Sequence, residues 1–462
     1  MPVKKKQEIE LDITGIAFGG RGIARVDGFT VFVDQAVPGD RVRARVFKKK
    51  KNYAEARTLE VLSPSADRVA PPCRYAGWCG GCKWQFLQYE RQLEYKRQHV
   101  AEALEHLGQL YGIPVHPVLP SEPVFGYRNK MEFSCSDRRW LLPEELGRED
   151  IPMDFALGLH VPGTFDKILD IDACLLQPEK GNRILNDVRD FMKASDMPAY
   201  GLRTHEGFWR FLMLRHSVVQ NRWLVNLVTA TENRAAVQAL ADYLMDAYAD
   251  IAGVVNNVTA SKAAVAVGEY ELPLAGDPVL KERLGSFEFE ISANSFFQTN
   301  TRQAEILYET VHKFAGLTGN ETVVDLYSGT GTIPIWLSSD AAEIIGLELV
   351  ETAVADAQKN CRQNRITNCR FISGDIRQSI SGIESRPDLM VIDPPRAGMH
   401  KDVVESVRGL APETMVYVSC NPATLARDLS LLAEDYHVAE VQPVDMFPHT
   451  FHIEAVARLE RK

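Results

Sequence analysis

The last third of the sequence carries three side chains whose types and placement could do covalent and acid–base chemistry. In "VYVSCNP" an apolar strand exits on Cys420, and Pro422 then falls in the first turn of a helix, "ATLARDLSLLAED". A thiol at a helix N-terminus has its thiolate favoured by exposed N–H groups and the helix dipole, so the placement predicts a nucleophile. Burial in packing is the commoner fate of a single cysteine, so Cys420 has to be read with its neighbours. "DLMVIDPPRAG" ends another strand on Asp393, where two prolines stiffen the turn and a simple turn cap is the plainer alternative. In "HIEAVARL", period-2 alternation sets Glu454 on the same face as His452, Val456 and Arg458, as a carboxylate able to remove a proton. His449, His452 and Glu454 match no zinc spacing, so a metal is not expected there.

A nucleophile and a base need something to act on. "ETVVDLYSGTGTIPIWLS" ends an apolar strand on Asp325, then sets Gly329 and Gly331 ahead of a helix, a loop that admits a ligand close to the backbone. Glu348 closes the next strand, 23 residues after Asp325, suitably placed for ribose hydroxyls. A dinucleotide fingerprint wants a third glycine where this chain has Pro334, which tilts the loop away from NAD and toward S-adenosylmethionine. A nicotinamide oxidoreductase would also leave Cys420 without a purpose. Far upstream, "PPCRYAGWCGGCKWQ" spaces Cys73, Cys79 and Cys82 as Cys-x5-Cys-x2-Cys, and Cys174 in "LDIDACLLQP" can supply a fourth thiolate. Four thiolates suit zinc or an iron–sulfur cluster equally on coordination grounds. Cys135, Cys361 and Cys369 fit no motif and read as packing residues.

Positioning these groups takes more than one core. The 462 residues, 45% hydrophobic, suffice for two or three domains. Residues 1–62 hold five short strands between glycine turns and predict a small β-barrel. Residues 63–285 form a central mixed α/β domain with the cysteine motif, and 286–462 alternate strand and helix as a Rossmann-like, doubly wound sheet. The fold class is therefore α/β. No run approaches the roughly 18 apolar residues of a membrane span. The start, "MPVKKKQEIELD", has no apolar stretch behind its charges, and eight cysteines in so long a chain form no secreted disulfide framework. The expectation is a soluble, cytoplasmic protein with no membrane partner and no obligate protein partner. Net charge is −10, yet residues 1–60 hold 13 Lys/Arg against 8 Asp/Glu, a net of +5 that leaves −15 for the remainder. "RVRARVFKKKKN" sets Arg41, Arg43 and Arg45 on one strand face and runs Lys48 to Lys51 into a loop. A solvated edge and a phosphate-contacting strip are equally good readings of it.

Two resemblances sharpen the picture. The "AVPGDRV" turn and "GGRGIAR" hairpin resemble the TRAM module, an RNA-binding barrel appended to RNA-modifying enzymes. "SCNPATLARDL", "DPPRAG", "FPHTFHIE" and "ANSFFQTN" together resemble the RNA uracil-5-methyltransferase family across the C-terminal domain, and the cysteine and TRAM-like segments extend the likeness over most of the chain. The resemblance implies Cys420 as nucleophile and Glu454 as base, with Gln298, Tyr327, Glu348 and Asp393 against S-adenosylmethionine. It also implies a [4Fe–4S] cluster on Cys73, Cys79, Cys82 and Cys174. Uracil C5 is a poor nucleophile toward a methyl sulfonium, and a thiolate added at C6 makes the ring an enolate whose C5 can attack. Both carbons are hidden in folded RNA, so the uridine is expected to be flipped out, most easily from a single-stranded loop. "FGYRNKMEF", with Tyr127, Arg128, Asn129 and Lys130, resembles a family motif near the substrate. The barrel and cysteine motif resemble members acting on 23S ribosomal RNA more than the shorter ones acting on transfer RNA, which stays as the alternative. A second alternative is an RNA-binding or ribosome-assembly factor without turnover, which would have no need of Cys420 or Glu454.

Overall fold

The computed structural model describes residues 3–383 and 385–462, so residues 1 and 2 of the predicted barrel lie outside it. The stretch from Glu8 to Ile16 bends at Ile13 and Thr14. Its first half, Glu8–Asp12, pairs with Arg41–Lys49, and its second, Gly15–Ile16, pairs with Gly22–Val26. With Tyr53–Ser63 and Phe29–Asp34 between them, five strand paths close into a barrel filled by small residues such as Val31, Val42, Ala44 and Ala54. The alternation that buries Val42, Ala44 and Val46 turns Arg41, Arg43 and Arg45 outward. Each meets a carboxylate: Arg41 pairs with Glu10 (2.7 Å), Arg43 with Glu60 (2.7 Å) and Arg45 with Glu8 (2.5 Å). This face is a cross-strand ion-pair ladder, which favours the solvated edge over the phosphate strip.

The central sheet has eight strands, in the order Tyr270–Gly276, Ile251–Val258, Arg222–Thr229, Trp209–Ser217, Lys130–Ser136, Ala156–His160, Ile168–Asp170 and Arg139–Trp140. Helices Glu179–Ala194 and Arg234–Ala247 lay Ile184, Val188, Leu240 and Leu244 against it. Two stretches depart from the predicted boundaries. Helix Tyr89–Glu102, the π-helical turn Ala103–Leu107 that continues it and the chain beyond pack on the C-terminal domain, where Val100, Leu104, Val115 and Val118 join its core. The strands Val279–Leu284 and Phe287–Ser292 form one hairpin turning at Gly285, φ 56°, so the boundary predicted at 285/286 cuts a single unit. A glycine between two alternating flanks marks a hairpin as readily as a domain break.

The C-terminal sheet orders its strands Cys369–Ser373, Glu343–Glu348, Thr322–Leu326, Leu389–Ile392, Thr414–Ser419, Glu454–Arg461 and Tyr436–Val444. The first five run parallel and Glu454–Arg461 runs against them. Strand order reverses between Thr322–Leu326 and Leu389–Ile392, and open sheets bind ligands at the carboxyl ends beside such a point. Apolar cores cover both faces, with Ala455 and Ala457 on one side and Val456 on the other. Among the described residues no helix is long and apolar enough to cross a membrane.

The loop entering Glu454–Arg461 is fastened by chain from far upstream. Lys96 and Asp445, both fully buried, pair at 2.5 Å, and Lys96 also donates to the Phe447 carbonyl (3.1 Å). Tyr89 donates to Asp445 (2.8 Å), and the N–H groups of Lys83 and Trp84 both donate to the His449 carbonyl (3.0 Å). Removing one partner of such a pair leaves a buried charge alone, at a cost of about 3–5 kcal/mol. Lys96→Met is therefore expected to lower the denaturant midpoint of unfolding, and an unchanged midpoint would contradict this.

Candidate active site

The carboxyl ends of the central strands open on a cavity of about 1170 Å³. One part of it is built on the loop after Thr322–Leu326. Asp325 is 1% exposed, and neither of its carboxylate oxygens has a hydrogen-bond partner. Burial first, then the charges of Asp393 and Glu348, hold its pKa well above the usual carboxylate range. Tyr327 sits at φ 69° and Gly331 at φ 80°, so the backbone bends through a region unfavourable for tyrosine. A Cβ on Gly331 would lie 3.0 Å from Ala357 and Phe371, tighter than ordinary packing and in a backbone region that side chains rarely adopt. Glu348 braces the bend by accepting from the N–H groups of Gly329 (2.9 Å) and Val350 (2.8 Å). Gln298 also lines the cavity, its carbonyl fixed by the Asn129 side chain (2.8 Å).

The other part brings together Cys420, Glu454 and Asp393, with Arg396, Phe447 and His452 beside them. Cys420 leaves Thr414–Ser419 half-buried. Asn421 caps the next helix, Pro422–Leu432, by accepting from the Ala423 N–H (3.1 Å). The helix end is thus satisfied by its own cap, and the thiol answers to the pocket instead. Burial first, then the charge of Glu454, pushes it up to about 11, against a lowering by the nearby Arg396. The predicted stabilisation of the thiolate by the helix end is therefore reversed, because burial among carboxylates outweighs a capped dipole. Alkylation of Cys420, mapped by mass spectrometry, is expected to quicken about ten-fold per pH unit from about pH 7 to about pH 10. A plateau reached by about pH 8 would contradict that.

Glu454 is buried, and that burial, then Asp393, raises its carboxyl pKa well above the usual range while Arg396 opposes. Burial alone pushes Asp393 up to about 7. His452 is pushed down to about 4, by burial first and then by Arg396, and so is neutral near pH 7. His449 does not line the cavity: its ring stacks on Phe125 (4.1 Å between centroids) and meets Gln92. Nor do Tyr127, Arg128, Asn129 and Lys130 line it. Tyr127 instead donates to the Pro448 carbonyl (3.2 Å), and Arg128 lies 6.0 Å over the ring of Phe447. The substrate-side motif thus shores up the pocket wall from behind.

A second cavity, of about 260 Å³, is lined by Cys73, Cys79, Cys82 and Cys174, with Arg128 alongside. Burial raises all four thiols, Cys79 and Cys82 to about 12, and the other three sulfurs raise Cys79 further. Four thiolates sharing an enclosed space need positive charge between them. Among the described residues no group of three His, Cys, Asp or Glu side chains is arranged to hold a single metal ion. Cys135 is fully buried, and Cys361 and Cys369 pack in the core beneath the glycine loop, Cys369 donating to the Pro334 carbonyl (3.7 Å), in keeping with packing roles.

Sequence reasoning thus names Gln298, Tyr327, Glu348, Asp393, Cys420 and Glu454, and one cavity collects them. It passes over Asp325 and Arg396. The strand-end aspartate is legible in "VVDLYSG", but its orphaned burial is not, and "DPPRAG" gives no sign that its arginine reaches Cys420.

Comparison with known proteins gives this geometry a family. Residues 277–462 match the family model described as tRNA (uracil-5-)-methyltransferase, and residues 2–59 match the TRAM domain. An uncharacterized RNA methyltransferase of Chlorobaculum tepidum is 45% identical over 99% of this chain and 97% of its own length. One from Bacteroides thetaiotaomicron is 40% identical over 96% of this chain and 100% of its own. The crystal structure of Pyrococcus abyssi tRNA (uracil-54, C5)-methyltransferase with S-adenosyl-L-homocysteine superposes with a TM-score of 0.76 at 28% identity, covering 98% of this chain and 100% of that one. The chain belongs to the S-adenosylmethionine-dependent RNA uracil-5-methyltransferase family.

Proposed function

We propose that this enzyme makes 5-methyluridine in 23S ribosomal RNA through a covalent bond between Cys420 and uracil C6. The observation that carries the reading is the meeting of Cys420, Glu454 and Asp393 in one cavity with the glycine loop and the unpartnered carboxylate of Asp325. The Cys420 thiolate adds to C6, and the electron pair moves to O4 as an enolate. C5 then attacks the methyl group, and S-adenosylhomocysteine leaves. Glu454 takes the proton from C5, which re-forms the enolate, and its collapse breaks the C6–S bond to return the thiolate. A high pKa makes Glu454 a stronger base once it is ionised. The sulfonium of S-adenosylmethionine, bound near Asp393, favours anions around it and so draws the thiol's pKa down. Gln298, Tyr327, Glu348 and Asp393 are the assigned cofactor contacts, and Asp325 offers two free acceptors to a ligand's amine or hydroxyl donors.

The choice of ribosomal RNA rests on the barrel and the cysteine motif. The likeness to the Pyrococcus abyssi tRNA (uracil-54, C5)-methyltransferase supports transfer RNA as the alternative substrate. Labelled S-adenosylmethionine offered with unmodified 23S ribosomal RNA and transfer RNA in parallel, followed by fragment mapping, separates them. Label confined to one ribosomal fragment is the expected result. Label in transfer RNA moves the substrate, and label in neither returns the chain to an RNA-binding or assembly role.

For the second cavity we infer a [4Fe–4S] cluster held by Cys73, Cys79, Cys82 and Cys174. Bound there, the cluster supplies the positive charge that four thiolates need, and its role is to brace the fold or the RNA-facing surface. Protein purified without oxygen is expected to show a broad visible absorbance that Cys79→Ser removes. A colourless protein with one zinc per chain would overturn this.

A further inference from the structure

Cys420 shares the catalytic cavity with Glu454, Asp393 and Arg396. Arg396 is the cation of that group. It is also exposed, so its long side chain is only as well placed as the backbone that carries it. That backbone is a tight turn: the Gly398 N–H donates to the Pro395 carbonyl (2.8 Å), and Gly398 lies at φ 75°.

The helix that begins just after Cys420, Pro422–Leu432, grips this turn along its length. Asn421 at its cap and Thr424 in its first turn both donate to the Arg396 carbonyl (3.2 and 3.3 Å). Further along, Arg427 donates to the carbonyls of Ala397 (3.0 Å) and Met399 (3.1 Å). Asp428 is fully buried and accepts from the Met399 N–H (2.7 Å), the Tyr417 hydroxyl (2.6 Å) and Arg427 (2.7 Å). Tyr417 lies in Thr414–Ser419, the strand that ends at the thiol. One carboxylate thus ties together that strand, the helix that follows and the turn that carries Arg396. A Cβ on Gly398 would crowd Arg427 and lie 2.6 Å from Asp428 Oδ2, so a side chain there would push helix and turn apart.

We propose that Asp428, with Arg427 and Thr424, is a positioning residue for the nucleophile: it locks the Arg396–Met399 turn to the helix behind Cys420 and so keeps the Arg396 guanidinium beside the thiol. This rests on reading Cys420 as the nucleophile. Buried ion pairs add little net stability over apolar side chains of the same size. What Asp428 does that a leucine could not is hold the Met399 N–H and aim Arg427 at two carbonyls of the turn. The guanidinium so placed favours the thiolate against the burial and the carboxyls that oppose it.

The pH dependence of Cys420 alkylation, followed by mass spectrometry on the full chain without RNA, tests this. Arg396→Gln sets the scale: alkylation at about pH 8 is expected to slow about three-fold or more as the thiolate fraction falls. Asp428→Asn is expected to slow it in the same direction, and to add nothing in a chain that already carries Arg396→Gln. The sign separates two effects, since losing a carboxylate's charge with the turn still in place would draw the thiol's pKa down and quicken alkylation. Thr424, half-buried, gives a variant that touches no charge. Thr424→Val is expected to slow alkylation as well, and methyl transfer about ten-fold, while Thr424→Ser restores both. Should Asp428→Asn fail to fold, the Thr424 pair decides alone. Wild-type alkylation profiles in Arg396→Gln, or in Asp428→Asn and Thr424→Val whatever their unfolding midpoints, would overturn the positioning role, as would quickened alkylation in Asp428→Asn. Alkylation needs neither RNA nor a methyl donor, so that failure leaves the covalent reading standing. Methylation that survives Cys420→Ala would overturn the covalent reading and leave the alkylation result intact.

Discussion

Cys420→Ala is expected to abolish methyl transfer, by at least about 10⁴-fold, while S-adenosylmethionine binds as before. Uracil C5 has too little electron density to attack a sulfonium until C6 carries a nucleophile, so nothing else in the pocket replaces the thiol. The nearest groups are carboxyls, which add poorly to carbon, a guanidinium and a neutral imidazole. The cofactor contacts assigned to Gln298, Tyr327 and Glu348 do not involve Cys420, so calorimetric titration should give wild-type affinity. Turnover within a factor of ten of wild type would rule out covalent catalysis. Lost binding would instead make Cys420 part of the cofactor site.

Glu454→Gln is expected to slow turnover by about 10²–10⁴-fold and to do so at a particular place. Addition and methyl transfer need only the thiolate and the sulfonium, so the variant should advance to the methylated adduct and stop there with the C5 proton in place. A band of protein joined to RNA, resistant to denaturant, should accumulate only when S-adenosylmethionine is present. Burial already holds the carboxyl pKa of Glu454 far above its usual value, so an amide of the same shape costs little stability. Slow turnover with no such band would assign the proton to another base, with Asp393 the next carboxylate in the cavity.

Much of this site was legible because strand ends announce themselves. Asp325, Asp393 and Cys420 each close an apolar run at a turn, and the sheet order brings those turns to one edge. Glu454 was legible for a different reason, the period-2 alternation that sends Val456 to one core and Ala455 and Ala457 to the other. What alternation and spacing do not carry is who stands beside whom across domains. The outward face of Arg41, Arg43 and Arg45 follows from alternation, but its neutralisation depends on which strand lies alongside. The buried Lys96–Asp445 pair joins residues 349 apart in the chain, and no local pattern foretells it. The direction of the Cys420 shift failed for the same reason: the helix start was local, whereas the burial and the carboxyl of Glu454 were not.

The most direct measurement of the covalent route uses wild-type enzyme with a 23S ribosomal RNA transcript carrying 5-fluorouridine. Fluorine cannot leave C5 as a proton does, so the reaction should halt after methyl transfer with Cys420 still bonded to C6. A denaturant-resistant adduct that requires S-adenosylmethionine, and whose tryptic peptide contains Cys420 joined to a methylated, fluorinated nucleotide, is the expected result. No adduct, from an enzyme that methylates the unsubstituted transcript, would mean that C5 is methylated without a bond to Cys420.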